Sequence, residues 1–225
     1  KIGLPESHIH FYGAEKNWWS RAGTPDKMPP GEIGGPDSEI FYEFTDVPHD
    51  PKYGKFCHPN CDCGKFLEIG NSVFMQYQKN EEGKLVELPQ KNVDFGGGLE
   101  RVVSAVMDDP DVFHIDLFRG VIEKIEREAG IKYNSDTTKD KSFRIIADHL
   151  RGSVNLLSEG VIPGNKLHGY ALRRLIRRSM FHFHLLGSGI SGTGVTSIAS
   201  EFRKFYPNVD KNWQIVEENL TNEAT

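Results

Sequence analysis

The chain has 225 residues, of which 37% are hydrophobic, and it carries a formal net charge of -5. That is enough apolar material for one large domain or two ordinary ones. No apolar run of about 18 residues and no basic-then-apolar leader occur, so nothing points to a membrane span or to export.

The opening KIGLPESHIHFYG reads like the interior of a longer protein. Three cysteines cluster at Cys57, Cys61 and Cys63. An odd number in so short a stretch does not suggest a disulfide framework; a reducing, cytoplasmic compartment is expected. An evenly spread -5 would argue against nucleic acid. However, Arg144 to Gly187 carries seven Lys or Arg against two acids, a local basic surface on an acidic protein.

In chain order, SEIFYEF alternates Ile40, Tyr42 and Phe44 against Glu39, Phe41 and Glu43, the pattern of a half-buried strand. FLEIGNSVFMQYQ is a second strand whose row Leu67, Ile69, Val73, Met75 and Tyr77 is interrupted by Asn71, an amide that needs a partner. KNEEGKL reads as a hairpin turn, VELPQKNVDF as the returning strand and GLERVVSAVM as a helix. On that helix Leu99, Val102, Val103 and Val106 share one face, and Arg101 projects about 160° from it.

A composition shift near Asp108 to Asp116 divides residues 1–110 from 111–225. Beyond it the pattern is helical: DLFRGVIEKIEREAG closing on Gly130, the polar loop KYNSDTTKDKS, then SFRIIADHLRGSVNLLSEG, and YALRRLIRRSMFHFHLLG closing on Gly187. GSGISGTG reads as a flexible linker and FRKFYPNVDKNWQIVEENLTNEA as a last amphipathic helical piece. The expected class is α+β, an antiparallel sheet with helices followed by an all-α domain.

Two features carry candidate chemistry. In VDFGGGLERVV a strand ends in three glycines before a helix; this permits close backbone approach to a ligand and offers free N–H groups, although a plain strand-to-helix turn has the same form. On YALRRLIRRS, Leu172, Leu175, Ile176, Met180 and Phe183 lie on one side, while Arg173, Arg174, Arg177 and Arg178 fan across the rest. Such an array neutralises phosphates, or is simply a solvated face.

Taken together and in order, GPDSEIFYEF, FLEIGNSVFMQYQ, LPQKNVDFGGGLERVV, RIIADHLRGSVNLLSEGVIPGN and GYALRRLIRRS resemble the alanyl-tRNA synthetases, from about Asn17 to at least Gly187. VDFGGGLER is similar to the third signature motif of class II synthetases, with Gly97 where the family has a longer residue. The resemblance implies that Arg101 holds ATP, Asp94 accepts hydrogen bonds from the ammonium of L-alanine, and Asn71 reaches the same pocket. Gly96 and Gly98 would leave room for the amino acid and nucleotide. Trp19, in NWW, matches the tryptophan of the family's NFW and would wall the methyl side.

Glu39 and Glu68 stand where the family has carboxylates on adjacent strands, implying Mg²⁺ with the phosphates. Asn165, in GVIPGN, matches the asparagine that reads the acceptor-stem G·U pair of tRNA(Ala), beside the arginines. The implied activity is alanine activation by ATP and transfer to tRNA. The two earlier signature motifs are not found in the chain, and the GPCGPC run appears as GEIGGPD. The expectation is therefore a piece spanning the later half of a catalytic domain and the start of a tRNA-recognition domain, inactive alone. The alternative is a non-catalytic tRNA-binding or regulatory module derived from the synthetase. Cys57, Cys61 and Cys63, with His58 or His49 as a fourth ligand, could hold Zn²⁺, though the C-x₃-C-x-C spacing is irregular and a metal-free loop is equally compatible.

Overall fold

A computed structural model describes residues 3–224. Backbone contacts divide the chain into two compact units, Lys1–Val112 and Phe113–Thr225. The class is α+β, with one antiparallel sheet and seven α-helices among the described residues.

The first unit is built on a four-stranded antiparallel sheet in sequential order: β1 (Trp18–Ser20), β2 (Ile33–Glu43), β3 (Phe66–Lys79) and β4 (Leu85–Gly97). The β3–β4 turn is closed by Asn80, whose Oδ1 accepts from the amides of Glu82 and Lys84, with Gly83 at φ +78°. β4 is an edge strand, which accommodates Pro89: it lies where pairing with β3 is interrupted, between Glu87 and Asn92.

Two irregularities between β2 and β3 decide which side chains meet. Near Gly35, β3 carries an extra residue, and a Cβ on Gly35 would stand 1.7 Å from the Phe74 carbonyl oxygen, so only glycine fits. At Ile69 a second bulge separates the pairs Ile40/Gly70 and Phe41/Glu68. A bulge adds one residue and reverses the alternation beyond it. Glu68 is thereby turned to the side of Asn71, whereas strict alternation had put Leu67 and Ile69 there.

α1 (Leu99–Met107) follows β4. The apolar face expected to seat this helix is not the one that does. Ser104 and Ala105 are buried, whereas Leu99 is 75% and Val106 82% exposed. Asp108, at φ +52°, ends the helix and ties it to the sheet by accepting from the Thr45 amide (3.1 Å) and the Tyr42 hydroxyl (3.2 Å).

The second unit is helical: α2 (Asp116–Ala129), α3 (Thr137–Ser158), α4 (Leu167–Leu185), α5 (Gly192–Ala199), α6 (Pro207–Lys211) and α7 (Trp213–Ala224). Its core is formed by Val121 and Ile125 of α2, Phe143, Ile146, Leu150, Val154 and Leu157 of α3, Leu172, Ile176 and Phe183 of α4, and Val216 and Leu220 of α7, all fully buried. α3 starts inside the stretch read as a polar loop, where Asp136 caps it by accepting from the Thr138 amide. The GSGISGTG segment is not a linker. Ser191 caps α5 by accepting from the Gly194 amide, and Val195, Ile198 and Ala199 are buried. The tail is three short pieces, a 3-10 turn at Ser200–Lys204 followed by α6 and α7. No described helix is long and apolar enough to cross a membrane.

Candidate functional site

The strand register sets Glu39, Asn71 and Gly96 side by side on β2, β3 and β4, and sets Asp37, Val73 and Asp94 side by side two residues further along. Directly paired residues share a face, and so do residues two apart, so these six form one patch. The partner of the amide on the apolar row is Asp37: Asn71 Nδ2 donates to Asp37 Oδ2 at 3.0 Å. The other oxygens, Asn71 Oδ1 and Asp37 Oδ1, are buried and accept no hydrogen bond among the described residues. Buried acceptors are normally satisfied, so two unpaired ones beside the carboxylate of Asp94 mark a place for a donor with several N–H groups.

Space for such a donor exists. A Cβ built on Gly96 meets nothing within 4 Å. On the opposite face the Phe95 ring lies across Gly70 and Gly97, where a Cβ would stand 3.1 Å and 3.3 Å from it. Gly97 therefore serves the ring, whereas Gly96 opens the patch. At Gly98 a Cβ would collide with the Arg101 side chain at 2.9 Å, so that glycine makes room for the arginine.

Arg101 lies one turn before the buried Ser104 and Ala105, on the side of α1 that faces β3. Its Nη1 donates to the Glu68 carbonyl (3.0 Å) and to Glu68 Oε2 (3.1 Å). It projects away from Leu99, Val102 and Val106, and its half-exposed guanidinium reaches back to the sheet at Glu68. Glu39 feels Glu68 and Asp37 as well: its carboxyl is raised from the usual range by burial first, then by those two negative neighbours. Glu39 and Glu68, on adjacent strands, offer oxygen ligands of the kind a hard cation such as Mg²⁺ takes. On β1, Trp19 pairs with Gly35 and is 45% exposed, while Trp18 stacks on Tyr77.

In the loop between β2 and β3, Cys57, Cys61, Cys63 and His49 place their ligand atoms within 4.8 Å of one another. The hydrogen bond from His49 brings the Cys63 thiol down to about 6, and burial pushes that of Cys57 up to about 11.

In the helical unit, Asn165 is exposed on a loop folded back on itself, with the Gly164 amide donating to the Gly169 carbonyl. A Cβ on Gly169 would stand 2.6 Å from the Ile162 carbonyl oxygen. Asn165 Oδ1 accepts from Arg173 Nη1. The four arginines are not equivalent. Glu223 of α7, 11% exposed, pairs with both Arg173 (3.1 Å) and Arg177 (2.8 Å). Arg174 and Arg178 are exposed and make no ion pair among the described residues.

Asp37 and Glu223 are the two residues that sequence reasoning missed. Asp37 stands in a Gly-Pro-Asp stretch that reads as a turn, and Glu223 is far along the chain from its partners.

A family model for class II (A) tRNA synthetases matches residues 1–225. The chain belongs to the class II (A) tRNA synthetases. Among curated relatives of this synthetase chain, the alanine–tRNA ligases of Thermotoga petrophila and Thermotoga maritima are each 43% identical, over 100% and 99% of the chain. That of Treponema denticola is 37% identical over 96% of it. The matched region is 26%, 25% and 35% of those three proteins, so the synthetase chain spans roughly a quarter to a third of their length.

Proposed function

We propose that this chain is the later part of an alanine-activating catalytic domain joined to the start of a tRNA-recognition domain, and that the whole protein ligates alanine to tRNA(Ala). The supporting observation is the set of unsatisfied acceptors on Asn71 and Asp37 beside Asp94, with open space over Gly96. An alkylammonium has three donors and a positive charge, which suits two carboxylates and an amide oxygen. Trp19, 45% exposed on β1, would wall the methyl side.

The reaction is attack of the alanine carboxylate on the α-phosphorus of ATP, which expels pyrophosphate and gives alanyl-adenylate, then attack of the terminal ribose hydroxyl of tRNA on the alanyl carbonyl, which expels AMP. Positioning and charge stabilisation supply most of the acceleration, and no protein nucleophile is needed. Asp94, Asp37 and Asn71 would hold the ammonium and so aim the carboxylate. Arg101 would exchange its contact with Glu68 for ATP, which frees Glu68 to act with Glu39. Those two carboxylates would hold Mg²⁺, which supplies charge neutralisation of the phosphates when bound. In the second unit Asn165 would read the G·U pair, while Arg174 and Arg178 grip phosphates.

Alanine-dependent exchange between ATP and pyrophosphate by the full-length protein tests this. Asp94→Ala should abolish exchange, and exchange at the normal rate in that variant would overturn the assignment. Asn165→Ala should lower aminoacylation but leave exchange intact. Loss of exchange would instead make Asn165 structural. The competing reading, a non-catalytic tRNA-binding module, predicts tRNA binding without any exchange in the full-length protein.

A further inference from the structure

The loop between β2 and β3 runs over residues 44–65 with a single 3-10 turn, Pro51–Tyr53, and yet it brings four soft donors together. Cys57 Sγ and Cys63 Sγ are 3.6 Å apart, and Cys61 Sγ is 3.7 Å from His49 Nδ1. A tetrahedral zinc with Zn–S of about 2.3 Å and Zn–N of about 2.0 Å needs donor separations of about 3.5–3.8 Å. These two separations therefore already have the length of a tetrahedron's edges.

The histidine is prepared for this. His49 Nε2 lies 2.9 Å from the Gly54 carbonyl oxygen, which can only accept, so in the neutral ring, the form that binds a metal, the proton sits on Nε2. The Nδ1 lone pair is left facing the thiols, the arrangement by which a backbone carbonyl orients a ligating imidazole. His58, the other candidate, is engaged through Nδ1 with the Tyr12 hydroxyl at 2.9 Å and is not among the four converging donors.

We propose that His49, Cys57, Cys61 and Cys63 form a closed structural zinc site. Three thiols lose their protons to solvent on binding, and the imidazole binds neutral. Four protein ligands leave no position open for water or substrate, so the metal's task is to fix the loop. That loop leaves β2 at Phe44 and re-enters β3 at Phe66, and the Phe44 amide donates to the Lys65 carbonyl at 2.9 Å. Zinc would pin the root of the strand pair that carries Glu39 and Glu68. This inference is independent of the ligase reading and would stand if that reading failed.

The 225-residue chain, purified without chelator, should contain about one zinc per molecule by elemental analysis. Exchange for Co²⁺ should give intense tetrahedral d–d bands with thiolate-to-cobalt charge transfer. His49→Ala should alter those bands and weaken zinc binding by at least about tenfold, while His58→Ala should leave both unchanged. Because Cys61→Ser could disrupt folding, the paired histidine variants carry the decision. The proposal is overturned if the native protein takes up neither metal, if its mass reveals a Cys57–Cys63 disulfide, or if His58→Ala and not His49→Ala changes the cobalt spectrum.

Discussion

Asn71 donates to Asp37, and this one bond accounts for an amide in the middle of an apolar strand row. It also orients both groups so that each keeps an unpaired oxygen. If those oxygens receive an ammonium, Asp37→Asn removes a charge-assisted hydrogen bond worth about 1.5–3 kcal/mol. The full-length variant should show a KM for alanine raised about 10- to 100-fold, with the KM for ATP little changed. An equal rise in both would mean that Asp37 shapes the sheet and not the amino-acid pocket. Gly96 allows a complementary test. Since a Cβ there meets nothing, Gly96→Ala should fold normally but compete with the substrate for space, lowering exchange while the melting temperature holds.

Elements were legible wherever local pattern and packing agree, as in β3, α2 and α4. α5 was not, because Gly and Ser read as flexible by propensity. What overrides propensity there is the Ser191 cap and the burial of Val195, Ile198 and Ala199. Ser191→Ala should therefore cost about 1 kcal/mol in the stability of the helical unit, seen as a lower denaturant midpoint. The bulge at Ile69 was invisible for a different reason. A bulge is set by the pairing of two strands, and nothing in FLEIGNSV announces that Glu68 will turn to the side of Asn71. The seat of α1 was misjudged through the same limitation: periodicity identifies an apolar face but not which face the sheet accepts, and here it accepts Ser104 and Ala105. In the site, Asp94, Asn71 and Gly96 could be singled out from their motifs. Asp37 could not, since its role arises only when β2 lies against β3.

At the scale of the whole molecule, each unit has its own core, and the helical unit carries a response to acid. In the helical unit His182 is buried, and its Nδ1 lies 3.0 Å from Ser142 Oγ. Burial, reinforced by Arg178, His149 and Lys141, holds its imidazole below the ordinary 6.5. The unfolded chain therefore takes up this proton first. The associated stability is present above about pH 6.5 and is lost as pH falls below it toward the folded-state value. Hydrogen exchange should show α3 and α4 losing protection through that window, and His182→Gln should flatten the loss. A slope unchanged in the variant would assign the acid response to another group.

The fork made by Glu223 with Arg173 and Arg177 has a practical consequence for anyone shortening this protein. A chain ending at residue 222 would lose one acidic side chain and release two guanidiniums onto a surface that already displays Arg174 and Arg178. Such a truncation would cling to any polyanion more tightly and with a steeper salt dependence. The gain would be an artefact of trimming and would carry no information about any partner of the intact protein.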